Sequence, residues 1–262
     1  APATRQQLDS ALATAPARPA QQVAAAPAAA PPPTRSLVAA TETVPQASTT
    51  VELRGGVDCS SPHQVVRVPA DAPLLATPGG ARIGTLPAQS HYLGQSMTAW
   101  VQVVSPDGAY GRVTIPWTKG NVARQAWVAL GGLSRGSTRT MVVADLSEHR
   151  LHAYRGCREV LDVPSAIGRS GSPSPVGRFW VTDRIAVPRS QPSFGSYAFG
   201  LSTFQPHPPA GWKGGNQMAI HGTNAPASVG TAASAGCLRV AEPTLATLKP
   251  LLRPGTPVII QA

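Results

Sequence analysis

The chain has 262 residues, a formal net charge of +10 and 42% hydrophobic residues. It contains no uninterrupted apolar run near the roughly 18 residues that a membrane span needs, so no membrane span is expected. Its positive charge is mostly arginine scattered along the chain, without the basic run or sequence motif of a nucleic-acid binder, so no nucleic-acid partner is expected.

The excess of arginine has two explanations that the sequence leaves open. A basic surface suits polyanionic surroundings, such as the polymers of a bacterial cell wall, because partial screening by salt weakens the attraction without abolishing it. A base-composition bias toward arginine, alanine and proline explains the same residues equally well. The chain begins with Ala-Pro-Ala, small residues typical of a signal-peptide cleavage site, which suggests an exported protein.

Residues 1–55 are dominated by alanine, proline, glutamine, threonine and serine. The segment has no apolar periodicity, and the first aromatic residue of the chain is Tyr92. Such a composition buries too little apolar surface to offset the entropy lost when a chain becomes ordered. We therefore predict that residues 1–55 form a disordered, flexible tether.

Residues 56–134 change to short apolar runs separated by proline and glycine turns. The Pro-Gly-Gly at 78–80 predicts a tight turn between two strands, and the Ser-Pro-Asp-Gly at 105–108 predicts another. About five short strands with turns between them indicate a small β-barrel. The pattern resembles bacterial SH3-like domains, and a generic β domain is the alternative.

Residues 138–262 are predicted to form a second, mostly β domain, preceded by a linker at 134–140. Apolar runs such as Met-Val-Val-Ala-Asp-Leu at 141–146 are typical of strands. One short amphipathic helix is expected near the end of the chain, where leucines recur at helical spacing before a Pro-Gly pair. These leucines are Leu245, Leu248, Leu251 and Leu252.

The residues of this domain most suited to chemistry are Cys237 and His221. Cys237 follows Ser234, Ala235 and Gly236, small residues that give a thiol little apolar cover. An exposed, partly ionised thiol is a strong nucleophile, and a histidine at the end of an apolar strand can activate it as a base. Backbone N–H groups at Gly236 and Cys237 would suit an oxyanion hole. On these residues alone, a structural cysteine and a structural histidine remain the alternative.

The wider block, Ile-His-Gly-Thr at 220–223 and Ser-Ala-Gly-Cys-Leu-Arg at 234–239, resembles the active-site signature of the bacterial L,D-transpeptidase family. Further segments follow in the family's expected order across 140–261. One position departs from the family pattern, because Ala235 stands where the family usually has a histidine before its Gly-Cys pair. The family's base matches His221, so the departure concerns substrate positioning more than the catalytic pair.

The resemblance implies a fold and a reaction. The implied fold is mostly β, with a small SH3-like β-barrel followed by an L,D-transpeptidase-type β-sandwich or barrel that carries one short helix. In the implied reaction, Cys237 attacks the carbonyl of the third residue of a peptidoglycan stem tetrapeptide and D-alanine leaves. A side-chain amine of a neighbouring stem then takes the acyl group, giving a 3→3 crosslink. The implied partners are the donor and acceptor stem peptides, and neither a cofactor nor a metal is implied.

The resemblance also implies roles for individual residues. His221 acts as general base and then acid, with its tautomer held by the carbonyl of Gly222. Ser234 and Gly236 form the oxyanion loop. The substrate-binding residues are Arg239, Tyr197, Phe199 and Asn224. Strand alternation places the two aromatic residues on one face, where core packing is the alternative, and a plain surface charge is the alternative for the arginine. The loop around Trp212 fits either a flap over the site or an exposed loop.

The same resemblance also favours one pairing of the three cysteines. An odd number leaves at least one free thiol, and the implied nucleophile Cys237 has to stay reduced. A Cys59–Cys157 disulfide is therefore the preferred pairing, and it would clamp the two domains together. The sequence alone leaves the pairing open because it does not give the distance between the two Cα atoms.

Two other functions remain open at this stage. Water could replace the acceptor amine, which would make the chain an L,D-carboxypeptidase that trims stem tetrapeptides. Alternatively the chain could be a non-catalytic cell-wall-binding protein with a degenerate catalytic domain, of which Ala235 would be a symptom. Every reading places the protein outside the cytoplasm, secreted or associated with the cell wall.

Overall fold

A computed structural model of the chain describes residues 59–118, 123–212 and 215–262. The predicted tether, residues 1–55, lies outside these described residues. Within them the chain forms sixteen β-strands, two short 3₁₀ helices and one α-helix. The expectation of a mostly β chain with one short helix is confirmed for this part of the molecule. No helix among the described residues is long and apolar enough to cross a membrane.

Eight short strands build the first β domain in two sheets. The strands are β1 (His63–Arg67), β2 (Ala72–Leu75), β3 (Arg82–Leu86), β4 (Thr98–Val101), β5 (Val103–Val104), β6 (Tyr110–Thr114), β7 (Gln125–Ala129) and β8 (Ser134–Thr138). One sheet has the order β4-β1-β8 and the other β3-β2-β7-β6-β5. Gly79, at φ +67°, lies in the predicted turn between β2 and β3. The assignment of this domain to the SH3-like class stays a prediction.

The segment predicted as a linker is strand β8. It pairs antiparallel with β1 along its whole length, with Val65 opposite Gly136. Its side chains are almost all exposed, so backbone hydrogen bonds to β1 hold the strand without a buried apolar face. Strand prediction depends on apolar alternation, and Ser-Arg-Gly-Ser-Thr has none. A single residue, Arg139, separates β8 from the first strand of the second domain.

The second domain is built on an eight-stranded mixed sheet. Its elements are β9 (Thr140–Asp145), β10 (Arg150–Arg155), β11 (Arg158–Pro164), β12 (Gly177–Ala186), β13 (Tyr197–Phe204), β14 (Gln217–His221), β15 (Leu238–Arg239), α1 (Glu242–Leu251) and β16 (Pro257–Gln261). The strand order is β11-β10-β9-β16-β12-β13-β14-β15. β16 is parallel to β9 and β15 is parallel to β14, while the other neighbours are antiparallel.

The predicted helix forms and closes one face of this sheet. Leu245, Leu248 and Leu252 are at most 1% exposed and pack in the core of the second domain. The apolar stripe that the sequence indicated is therefore the face that α1 buries. Burial of an apolar side chain of this size contributes about 1.5–3 kcal/mol relative to exposure, which fixes the helix against strands that carry the candidate site.

The two domains share a hydrophobic core. Met141 and Trp180 of the second domain pack with the buried side chains of the first. The indole Nε1 of Trp117 donates to the carbonyl of Leu201 at 3.0 Å. The preferred disulfide, Cys59–Cys157, is present with its Cα atoms 4.9 Å apart. The first domain is thus held against the sheet of the second domain by packing, hydrogen bonds and a covalent bridge.

Candidate active site

Strand pairing brings Cys237 beside the end of β14. The register of the parallel pair β14–β15 places Ile220 opposite Leu238 and His221 opposite Arg239. Cys237 directly precedes β15, so the loop between the two strands returns it to the neighbourhood of His221 despite sixteen residues of separation. Both residues line one cavity of about 160 Å³. Cys237 is the only free cysteine among the described residues.

His221 is held in the tautomer that a general base requires. Its Nδ1 lies 2.6 Å from the carbonyl oxygen of Gly222. A carbonyl only accepts hydrogen bonds, so Nδ1 carries the proton and Nε2 is the acceptor nitrogen of the neutral ring. The side chain is 2% exposed, and its aromatic neighbour Phe194 has a ring centroid 5.0 Å away. The role predicted for the Gly222 carbonyl agrees with this contact.

Burial keeps both members of the pair neutral. It lowers the pKa of His221 to about 4, and the positive charge of Arg239 acts in the same direction, while backbone hydrogen bonds to Gly222 and Phe194 oppose the shift. Burial also raises the pKa of the Cys237 thiol, against a backbone hydrogen bond from Ala219 and the charge of Arg239. At neutral pH the site therefore holds a thiol and an imidazole, and any reaction that uses the sulfur as a nucleophile has to remove the thiol proton.

Gly236 occupies a conformation that only glycine adopts readily. Its φ is +124°, and a Cβ at this position would lie 2.0 Å from Nε2 of Gln205. The Gly236 N–H donates to Oγ of Ser234 at 2.9 Å, and its carbonyl accepts from Oγ of Ser174 at 2.6 Å. The prediction that the Gly236 N–H forms part of an oxyanion hole is therefore wrong for this structure, because Ser234 already occupies that donor.

Ser234 stabilises the backbone that leads to Cys237. It is fully buried, its N–H donates to the carbonyl of Ile167 at 2.8 Å, and its carbonyl accepts from the N–H of Arg169 at 3.0 Å. Together with its hydroxyl contact to Gly236, these bonds tie the loop to the segment after β11. Ser234 thus sets the shape of the backbone just before Cys237.

Arg239 places a positive charge in the cavity. Burial lowers the pKa of its guanidinium, with the neighbouring Cys237 opposing this shift and Arg169 adding to it. Its Nε is buried without a hydrogen-bond partner in the described structure. The described residues that line the cavity include no aspartate, glutamate or lysine. The site can therefore accept a carboxylate beside Arg239 and offers no counter-charge to an ammonium group.

Residues 139–260 match the model of the YkuD family, which describes the L,D-transpeptidase catalytic domain. Two curated relatives are the L,D-transpeptidase YkuD proteins of Bacillus licheniformis and Bacillus subtilis. The first is 30% identical over 119 residues, which are 45% of this chain and 64% of the relative. The second is 33% identical over 97 residues, which are 37% of this chain and 51% of the relative. The chain thus spans less than two thirds of either relative.

Solved structures of L,D-transpeptidases also resemble the chain. An L,D-transpeptidase from Mycobacterium smegmatis is 15% identical, with a TM-score of 0.38 over 63% of this chain and 89% of that protein. L,D-transpeptidase 3 from Mycobacterium tuberculosis is 14% identical, with a TM-score of 0.39 over 63% of this chain and 91% of that protein.

Three residues predicted to bind substrate do not line the cavity. Phe199 is fully buried in the core, and Tyr197 packs on its ring with centroids 5.1 Å apart. Their neighbours Ala198 and Gly200 line the cavity instead, because the bulky rings fill the core on the opposite side of β13. Asn224 is exposed and does not line the cavity either. Burial in the core contradicts the substrate-binding prediction for Phe199, whereas for Tyr197 and Asn224 it stays a prediction.

Two further residues, Gln205 and Trp212, line the cavity. The amide of Gln205, 6% exposed, donates to the carbonyls of Ala235 at 2.8 Å, Pro173 at 3.1 Å and Ser172 at 3.2 Å. Sequence reasoning missed Gln205, since no motif surrounds it and its partners are distant in the chain. Trp212, predicted as either flap or exposed loop, lines the cavity while 37% exposed.

His152 belongs to a charged cluster outside the cavity. His152 on β10 lies opposite Asp162 on β11. Its Nδ1 is 2.7 Å from a carboxylate oxygen of Glu159 and 3.3 Å from one of Asp162. Arg150 also pairs with Asp162 at 2.6 Å. This charged cluster lies near the other edge of the sheet from Cys237 and shares no residue with the cavity.

Proposed function

We propose that this chain is a peptidoglycan L,D-transpeptidase that forms 3→3 crosslinks through an acyl-enzyme on Cys237. One observation carries the proposal: a free thiol and an imidazole in the base tautomer line the same cavity. The match of residues 139–260 to the YkuD family model supports a transpeptidase-type reaction. The intact His221–Gly222 contact argues against a degenerate domain, despite Ala235.

In the first half-reaction Sγ of Cys237 attacks the carbonyl carbon of the third stem residue. The thiol proton passes to Nε2 of His221 as the S–C bond forms, because both groups begin neutral. The tetrahedral intermediate then collapses, the C–N bond to D-alanine breaks, and the imidazolium returns its proton to the leaving amine. A thioester on Cys237 remains, and the ring is again neutral with its Nδ1 proton directed at Gly222.

In the second half-reaction an amine of a neighbouring stem attacks the thioester. His221 takes the proton of the attacking amine and gives it to the departing sulfur, which restores the starting thiol. We assign the oxyanion to the N–H of Cys237, since the Gly236 N–H is bonded to Ser234. A backbone donor of this kind contributes about 3 kcal/mol to transition-state stabilisation in serine proteases.

Arg239 is the group that we assign to the donor peptide. A guanidinium forms paired hydrogen bonds with a carboxylate, and a stem tetrapeptide presents carboxylates near its scissile bond. Burial around Arg239 strengthens such a contact because the local dielectric is lower than in water. The cavity's apolar lining, which includes Ile185, Val187 and Phe194, suits the methyl and methylene groups of the same peptide.

The proposed setting is outside the cytoplasm, either secreted or bound to the cell wall. The Cys59–Cys157 disulfide supports this setting, since such bonds persist mainly in oxidising compartments. The net charge of +10 supports contact with polyanionic wall polymers.

The deciding experiment supplies a purified stem tetrapeptide with and without an acceptor stem and analyses the products by mass spectrometry. A crosslinked dimer that forms only with acceptor is the expected result. Tripeptide as the sole product, at any acceptor concentration, would identify an L,D-carboxypeptidase instead. The Cys237→Ala protein is the control and should yield neither product. An unmodified tetrapeptide with the unsubstituted chain would refute both enzymes.

A further inference from the structure

One wall of the cavity belongs to the first domain. Tyr92, from the loop that precedes β4, lines the same cavity as His221, Cys237 and Arg239. The other described lining residues all come from the second domain. We call residues 88–97 the Tyr92 loop. Its neighbour Leu93 is 40% exposed and does not line the cavity, so the loop presents one particular side chain to the site.

The Tyr92 loop is closed by its own backbone. The Met97 N–H donates to the carbonyl of Ala88 at 2.8 Å, and the Ser90 N–H donates to the carbonyl of Gln95 at 2.8 Å. Gly94 takes a left-handed φ of +63° where the chain turns back. These bonds give the loop a hairpin-like shape, which limits the positions that the Tyr92 ring can reach.

Buried groups fasten the loop to β12 of the catalytic sheet. Asp183, which is fully buried, accepts from Oγ of Ser90 and from the N–H of Leu93 at 3.3 Å. Gln95 makes a paired contact with the backbone of Arg184, donating to its carbonyl and accepting from its N–H, each at 3.1 Å. Charged and paired acceptors in a buried setting give strong hydrogen bonds, so the loop is held to the sheet at two adjacent residues.

The same carboxylate connects the loop to the floor of the cavity. The second oxygen of Asp183 accepts from the amide of Gln217 at 3.0 Å, and Gln217 lines the cavity. Gly200 lies against both, since a Cβ there would be 2.8 Å from Gln217 and 2.9 Å from Asp183. On the other side of the loop, the ring of His91 contacts Phe204, with centroids 5.0 Å apart.

We propose that Tyr92 is a substrate-binding residue of the acyl-donor site for the stem tetrapeptide and that the rest of the Tyr92 loop positions it without contacting the peptide. This inference rests on the proposed function. The Tyr92 ring provides a fixed aromatic surface for the donor peptide, and the Asp183 contacts fix the position of that surface relative to Cys237. The first domain thereby contributes to donor binding, in addition to any contact it makes with the wall.

The test measures binding of a synthetic stem tetrapeptide to the full chain carrying Cys237→Ala, by titration calorimetry. Adding Tyr92→Ala should raise the dissociation constant by about tenfold, since one aromatic wall of the site is lost. Tyr92→Phe should restore binding to within about twofold, because the ring remains. The matched control is Leu93→Ala, which removes an exposed side chain from the same loop and should change binding by less than about twofold.

A thermal unfolding scan accompanies each variant and should give the same midpoint for Tyr92→Ala and Leu93→Ala. If Tyr92→Ala unfolds, Tyr92→Leu replaces it in the test. Its dissociation constant should still exceed that of Leu93→Ala by about threefold or more. Equal dissociation constants for the Tyr92 and Leu93 variants would overturn this inference alone. A parent protein that does not bind the tetrapeptide at all would overturn the proposed function and this inference together.

Discussion

The eight-stranded sheet carries a histidine on the strand next to each of its two edge strands. His221 on β14 lies opposite Arg239 on the edge strand β15, and His152 on β10 lies opposite Asp162 on the edge strand β11. His221 is buried and directs Nδ1 at a backbone carbonyl, whereas His152 directs Nδ1 at the carboxylate of Glu159. His221 therefore lies beside a positively charged residue, whereas His152 lies beside carboxylates.

This difference explains why only one side is suited to acyl transfer. A carboxylate beside an imidazole can form an ion pair with it, which holds the ring in a surface cluster. Arginine and burial near His221 favour the uncharged ring, which is the form that accepts a proton from a thiol. The free cysteine lies on that side as well, so nucleophile and base are found together only where the sheet is covered by the cavity loops.

The largest expected effect is at the nucleophile. We expect a carbapenem to acylate Cys237 and so to increase the mass of the intact protein. Cys237→Ala should abolish this mass increase, because no thiol remains to form the thioester. Circular dichroism should show an unchanged fold. Labelling that persists in this variant would show that Cys237 is not the residue that the carbapenem acylates.

The second effect separates the two histidines directly. His221→Ala should slow acylation by about 10²–10⁴-fold, the usual contribution of general acid–base catalysis. His152→Ala, its counterpart at the other side, should change the rate by less than about twofold, since it does not line the cavity. Stopped-flow acylation measures both. Equal losses in the two variants would end the distinction between the sides.

The third effect is on stability as the pH falls. The folded pKa of His221, about 4, lies below the ordinary value of 6.5, so the unfolded chain binds this proton first on acidification. The contribution of His221 is therefore fully present above about pH 6.5 and is lost progressively toward pH 4, by an amount of about 3 kcal/mol. Urea unfolding at pH 7.5 and pH 4.5 should show a smaller loss for His221→Gln than for the unsubstituted chain. A parallel decline in both proteins would contradict the low pKa.

The smallest effect belongs to the charged cluster. Arg150 lowers the pKa of Asp162 through a direct hydrogen bond, against some desolvation. The carboxylate is 43% exposed, so solvent screens the pair and Asp162→Asn should reduce the free energy of unfolding by less than about 1 kcal/mol. Acylation should be unaffected. A loss of several kcal/mol in a denaturant titration would mean that this side of the sheet is as tightly organised as the cavity side.

The sequence predicted correctly those features that depend on residues close together in the chain or in a fixed order. Cys237, His221 and Gly222 are found together because a signature fixes their order and a short parallel strand pair fixes their distance. The helix was predictable since its buried leucines, such as Leu245 and Leu248, repeat at helical spacing. Strand β8 was not, because main-chain pairing alone holds it and leaves no pattern in the side chains.

Other parts of the site depend on contacts between distant segments. Alternation correctly put Tyr197 and Phe199 on one face, but it cannot say which face of a strand covered on both sides meets the cavity. The sequence left the Gly236 N–H available as an oxyanion donor, but in the fold it donates to Oγ of Ser234. Gln205 reaches carbonyls about thirty residues away on either side, and Tyr92 arrives from another domain. None of these contacts has a local sequence signal.

The Cys59–Cys157 bridge has a mechanical consequence. Covalent bonds do not extend under the forces that unfold domains, so a pull on the chain ahead of Cys59 passes through the two sulfur atoms to Cys157, at the turn between β10 and β11. Residues 60–156 form a covalently closed loop, so their backbone lies outside this covalent path. The strands of the first domain and Tyr92 would then keep their positions beside the sheet of the second domain when the chain is pulled from this end.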